Sequence, residues 1–248
     1  MSANINLLNP NQPKKVLLIV SNPAISQQTG WPIGAWLAEF AHPYWEFTER
    51  GYQVTLASPD GGKIELDRWS DPRDESKYSE HDLLSLGFIS SPRHAALLEH
   101  TPSLDQVNPD DYDALFIAGG QGPMYTFIDN QALHAFTASF YEAGKVLAVV
   151  CHGVCILLKI KLSSGELLVN GKTWTGFANS EEQYADEFVG KRIQPFWIED
   201  AAKQLPNTNF IVGMRFEPFA HRDGRLITGQ QQYSGGAAAK LVIEALGV

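Results

Sequence analysis

The chain has 248 residues, 44% of them apolar, and 19 basic residues against 28 acidic ones give a formal charge of −9. That length and apolar share fit one large globular domain and exclude a disordered chain. No Lys/Arg cluster interrupts the acidity, which argues against nucleic acid and anionic membrane as partners. No apolar run is long enough to span a bilayer. The Asn-rich start, Met1 to Pro13, lacks the apolar core of a signal peptide, so the expected location is cytoplasmic.

In chain order, Val16 to Val20 is short, apolar and β-branched and predicts a buried first strand. Gln27 to Gly34 is polar and marked by Gly and Pro, and predicts a loop. Apolar and aromatic residues then recur at helical spacing from Ala35 to Arg50, stopped by Gly51. Val54 to Ala57 predicts a second strand, closed by Ser58-Pro59-Asp60-Gly61-Gly62. Residues 63–109 are charged and Pro-rich, with weak helical stretches such as His94 to His100. They predict a cap inserted into a single domain spanning 1–248.

Asp113 to Ala118 predicts the next strand, followed by Gly119-Gly120-Gln121-Gly122. Asn130 to Ala143 predicts a helix and Val146 to Val150 a strand that runs into Cys151, with a helix continuing to about Lys159. Leu167 to Gly176 reads as short strands around a hairpin-type turn at Asn170-Gly171. A capped helix opens at Ser180, strands fall at Phe210 to Met214 and Arg225 to Thr228, and a last helix covers Gly235 to Leu246. Alternating strands and helices predict a mostly parallel sheet with helices on both faces.

The chemistry concentrates at Leu147-Ala148-Val149-Val150-Cys151-His152-Gly153. A strand, a nucleophile and a sharp turn into a helix would present the thiol at its apex, and the positive helix end would favour the thiolate. The residues alone also allow an ordinary buried cysteine. Cys151 and Cys155 make no disulfide framework, since a bridge four residues long closes almost no loop. The N–H groups of Gly120 and His152 can form an oxyanion hole beside the thiol. The missing Gly-x-Gly-x-x-Gly spacing argues against a dinucleotide loop. Glu39 interrupts an apolar helical run. It is either a wet-face residue or a buried carboxyl whose useful partner is a thiol. His42 and Glu46 stand one turn apart, but two ligands fall short of a metal site, so no metal is expected. His152 needs a third group to orient it, and Asn179-Ser180-Glu181-Glu182 supplies candidates.

Taken together, four stretches resemble the ThiJ/PfpI superfamily, which shares a flavodoxin-like core with class I glutamine amidotransferases. They are Trp36-Leu37-Ala38-Glu39 with His42-Pro43, Ala57 to Gly62, Ala118 to Gly122, and Ala148 to Gly153. Asp223 to Gln230 is a weaker fifth. The long insertion resembles the glutathione-independent glyoxalase III branch, also described as heat-shock chaperones. The resemblance implies a flavodoxin-like, doubly wound α/β fold with an inserted cap, and a homodimer. It implies Cys151 as nucleophile, Glu39 as general acid/base, His152 beside the nucleophile, and oxyanion or substrate contacts from Gly119, Gly120 and His152. An acidic residue after Thr175-Gly176-Phe177, Glu182 ahead of Glu181, would orient the histidine. Two departures, Val154-Cys155 and Gln231-Gln232-Tyr233, border the expected pocket.

The reaction so implied is conversion of methylglyoxal or another small 2-oxoaldehyde to a 2-hydroxy acid without any cofactor. Two other readings remain: a cysteine peptidase or amidase, and a stress-response chaperone or redox sensor built on an exposed, easily ionised thiol. An imidazole adjacent in sequence to the thiol is an awkward base for hydrolysis. The glutamine amidotransferase signature Gly-x-Cys-x-Gly is absent, because Val149 holds its first position.

Overall fold

The computed structural model describes residues 13–247; Met1 to Gln12, read above for a signal peptide, lie outside the described residues. A six-stranded sheet holds the centre. Its strands are β1 (Lys15–Ile19), β2 (Gln53–Ala57), β3 (Ala114–Ile117), β4 (Val146–Val150), β5 (Ala220–Asp223) and β6 (Leu226–Gly229), in the order β2-β1-β3-β4-β6-β5. All neighbours are parallel except the edge pair β5 and β6. β3 and β4 are buried at every residue, as strands covered on both faces must be. The register aligns Ile19 with Ala57 and Ile117, and Ile117 with Val149. The carboxyl ends therefore open onto one edge, where doubly wound sheets place their sites.

The main helices are α1 (Ala38–Glu49), α2 (Leu83–Ser90), α3 (Gln131–Glu142), α4 (Asn179–Val189) and α5 (Gly235–Ala245). α1 and α5 pack against each other and over the sheet. α3 is capped by Asn130, whose side chain accepts the Leu133 N–H.

Several expectations are corrected. α1 starts at Ala38, not Ala35, because Ala35 pairs with Leu66 and exchanges hydrogen bonds with the Glu65 carbonyl and the Asp67 N–H. The loop at Gln27 to Gly34 ends in a two-stranded hairpin between Ala24–Ile25 and Pro32–Ile33. The Asn170-Gly171 turn does not make a hairpin; Thr173–Trp174 pairs in parallel with Asn209–Phe210 instead. After Cys151 the chain makes tight 3-10 turns to Leu158 rather than an α-helix. Within 63–109, α2 is the main helix. Its Phe88 ring meets Phe40 and Tyr44 edge-on at 5.7 and 5.4 Å, joining the segment to α1. Its apolar residues make no helical stripe, which is why the sequence did not show it; Asp82 caps it through the Ser85 N–H.

Candidate active site

Strand β4 delivers Cys151 with a backbone φ of +56°. A non-glycine residue held there is strained by about 1–2 kcal/mol, and such strain gathers at functional turns. The strain aims the thiol over the carboxyl edge of the sheet. Gly119 faces it from the end of β3, where a Cβ would lie 2.9 Å from Cys151 Cβ and 2.6 Å from Glu39 Oε2. Only glycine lets the two loops approach this closely.

Glu39, in the first turn of α1, is fully buried, and Gly119 N–H donates to its Oε2 at 2.7 Å. The wet-face reading of Glu39 is thereby excluded. Gly119, expected among the oxyanion donors, spends its N–H on Glu39. Burial raises the Glu39 pKa to about 8; the Asp67 charge pushes the same way, and Cys151 and the Gly119 and Gly120 amides oppose it. Glu39 Oε1 has no aligned hydrogen-bond partner, yet the carboxyl and the Cys151 thiol are electrostatically coupled.

Cys151 is 2% exposed, so the expected exposed, ionised thiol is corrected. Burial first, and then the Glu39 carboxyl, push the thiol up; the N–H groups of His152 and Gly120 point at the sulfur and oppose the shift without outweighing it. These are the two amides expected at the oxyanion site. The redox-sensor reading rests on an exposed, easily ionised thiol, whereas Cys151 is buried with its pKa pushed up.

The imidazole of His152 does face its neighbour. Nδ1 lies 3.5 Å from Cys151 Sγ, and Nε2 lies 3.0 Å from Glu182 Oε1. An ionised Glu182 accepts a hydrogen bond from Nε2–H, and in that tautomer the Nδ1 lone pair faces the thiol. Phe177 lies against the ring at a centroid distance of 4.1 Å and fixes its plane. Of the two candidates Glu181 and Glu182, it is Glu182 that reaches the imidazole. Glu181 turns the other way and accepts from the N–H groups of Ala178 and Phe216 and from Gln230 Nε2.

Asp67 was missed. It is buried, and its carboxylate accepts the Gly34 N–H at 3.0 Å and the Gln121 N–H at 2.6 Å. It thereby ties segment 63–109 to the turn that carries Gly120. Its only sequence signal is one carboxyl between Leu66 and Trp69, too weak to single out.

Cys151, Glu39, His152, Glu182, Gly120 and Gln121 form the floor of a cavity of about 70 Å³. Of the two departures, Gln232 does line it, with Nε2 3.4 Å from the Tyr78 hydroxyl. Val154 and Cys155 do not: Val154 abuts Gly176, and the Cys155 thiol turns to the Pro123 carbonyl at 3.4 Å. His42 pairs with Asp82 at 2.9 Å and Glu46 with Lys240 at 3.4 Å, so their polar atoms point to different partners. No helix among the described residues is long and apolar enough to cross a membrane.

Against known proteins, the chain is 28% identical over 246 residues to the glutathione-independent glyoxalase HSP31 of Saccharomyces cerevisiae, covering 94% of this chain and 98% of the yeast one. The crystal structure of glyoxalase III from Candida albicans superimposes with a TM-score of 0.75 at 26% identity, covering 94% of this chain and 97% of that one. The Rapid Encystment Protein 24 KDa of Francisella tularensis does so with a TM-score of 0.82 at 27% identity, covering 94% and 99%. The DJ-1/PfpI family model matches residues 34–244. The chain belongs to the DJ-1/PfpI family.

Proposed function

We propose that the protein is a glutathione-independent glyoxalase that converts small 2-oxoaldehydes such as methylglyoxal to 2-hydroxy acids. The observation that carries this reading is the buried Glu39 carboxyl coupled to the Cys151 thiol on the floor of a small cavity. A hydrolase needs a base for water. An isomerase of 2-oxoaldehydes needs a carboxyl that can take a hydrogen from one carbon and return it to the next. The names of the yeast and Candida relatives support the same reading.

The thiol adds to the aldehyde carbon, with His152 Nδ1 placed to take the sulfur proton and return it to the new oxygen. The resulting hemithioacetal sits beside the Gly120 and His152 amides, which stabilise developing negative charge. Glu39, ionised, removes the C1 hydrogen as a proton, giving an enediolate. The same proton, or one exchanged with solvent, goes to C2, while the C1 hydroxyl proton passes to the C2 oxygen and C1 becomes a carbonyl. The product is a thioester, and water releases the hydroxy acid and restores the thiol. C1 is oxidised from aldehyde to carboxyl and C2 is reduced from ketone to alcohol, so the balance closes without an external redox partner. Segment 63–109 acts as the cap over this cavity, and the homodimer implied by the resemblance belongs to the same reading, to be measured by light scattering.

Methylglyoxal loss and lactate formation, followed without glutathione, test the proposal. Turnover lost in Cys151→Ala supports it; turnover retained in that variant overturns it. A second reading, peptide or amide hydrolysis, is favoured by the Cys151–His152–Glu182 chain of contacts. Release of p-nitroaniline from model substrates, dependent on Cys151 and without lactate formation, would establish that reading instead.

A further inference from the structure

Above its polar floor the cavity is walled by aromatic rings. Trp69 stacks on Tyr78 at 6.0 Å and 24°, and meets Phe188 edge-on at 5.8 Å and 82°. Tyr78 in turn meets Trp36 edge-on at 5.9 Å and 84°. These rings line the same cavity as Cys151 and Glu39, and the ladder ends at Phe188, which is 65% exposed. Trp69 and Tyr78 come from segment 63–109, Trp36 from the turn before α1 and Phe188 from the end of α4.

The charge of the lining is one-sided. Among the described residues its carboxyls are Glu39 and Glu182, and no Lys or Arg lines it. Arg215 is not in the lining, but lies 4.9 Å over the ring of Tyr184, which is. An anionic substituent beside Cys151 would therefore meet the Glu39 and Glu182 carboxyls, with no Lys or Arg among the described lining residues to offset them. A cavity needs about 10–15 Å³ to hold one water, so 70 Å³ leaves room for a ligand several waters in size. A flat apolar group leading away from the reacting carbons would lie along the rings, where offset and edge-to-face contacts are favourable.

We infer that the preferred substrate is a 2-oxoaldehyde whose keto carbon carries a flat apolar group, an aryl ring above all, and that Trp69 sets this preference. The inference rests on the glyoxalase reading. The step is the same internal oxidation and reduction: the aldehyde carbon becomes the carboxyl, the keto carbon becomes the alcohol, and water supplies the added oxygen. Phenylglyoxal would give 2-hydroxy-2-phenylacetate.

The experiment compares kcat/KM for phenylglyoxal and methylglyoxal, by chromatography of the hydroxy acids, in the wild type, Trp69→Ala and Trp69→Phe. The wild type prefers phenylglyoxal by about tenfold or more, the size of effect an apolar pocket can supply. Trp69→Ala loses about tenfold more on phenylglyoxal than on methylglyoxal, mainly through KM, and Trp69→Phe recovers most of that difference. A wild-type ratio at or below one overturns the inference, as does a Trp69→Ala protein that loses equally on both. Turnover of neither aldehyde by the wild type is a different result: it removes the glyoxalase reading, and the inference falls with it.

Discussion

Gly119 donates its backbone N–H to Glu39 Oε2 at 2.7 Å, and the Cβ that any other residue would bring there would lie 2.6 Å from that oxygen. The turn after the strand that ends at Ile117 thus holds the α1 carboxyl by main chain, with no room for a side chain between them.

Activity should follow the ionisation of this carboxyl. Glu39 is raised to about 8, chiefly by burial, and only its ionised form can take the C1 hydrogen. The profile of kcat/KM for methylglyoxal therefore rises with pH through an apparent pKa near 8, a value belonging to the coupled Glu39–Cys151 pair. A profile already flat above pH 5.5 would contradict this.

Stability carries the opposite sign. Between pH 4.5 and about 8, Glu39 is protonated in the folded chain and ionised in the unfolded one. The folded state then binds more protons, so stability falls as pH rises through that window. Asp67, raised to about 6 by burial, adds the same slope at its lower end. Thermal unfolding of the wild type at pH 5 and pH 8 should differ by on the order of several kcal/mol. Glu39→Gln should keep only the smaller part of that difference. An unchanged slope in the variant would mean that Glu39 is ionised in the folded protein.

Asp67 should matter although it does not touch the cavity floor. Asp67→Asn places an NH₂ group against the N–H of Gly34 or Gln121, where the carboxylate accepted from both. Loss of about 1–3 kcal/mol of stability is expected from the unmet buried donor. A fall in kcat of about tenfold is expected as the Gly120 amide shifts. Denaturant unfolding and steady-state kinetics on one preparation check both; wild-type values in both would show that the tie is dispensable.

Adjacent glutamates should separate cleanly. Glu182→Gln removes the negative charge on the acceptor and sets an NH₂ donor beside it, so the His152 tautomer is no longer fixed, and should lower kcat by about tenfold or more. Glu181→Gln disturbs Phe216 and Gln230 and should be felt first in thermal stability. Equal kinetic losses in the two variants would contradict the division.

The sheet and the thiol turn were legible because they depend on short-range pattern. Val146 to Val150 is an apolar run that ends in Cys-His-Gly, and the residues needed to read it are contiguous. Exposure and ionisation were not legible. The helix end at Cys151 favours the thiolate, but desolvation outweighs it, and burial is a property of the folded whole. Asp67 was hidden for the same reason: its partners Gly34 and Gln121 lie 33 and 54 residues away. The edge strand Ala220–Asp223 was hidden by its composition, since Ala-His-Arg-Asp has no apolar alternation.

The central claim is a division of labour between a sulfur that bonds the aldehyde and a carboxyl that moves its hydrogen. Glu39→Gln, incubated with methylglyoxal without glutathione, tests it most directly by native mass spectrometry of the intact protein with the aldehyde present, using Cys151→Ala as the blank, together with lactate measurement. The account predicts a methylglyoxal adduct on Cys151 with lactate formation reduced by about a hundredfold or more. Lactate formed at the wild-type rate, or no adduct on Cys151 under conditions where the wild type turns over, would contradict it.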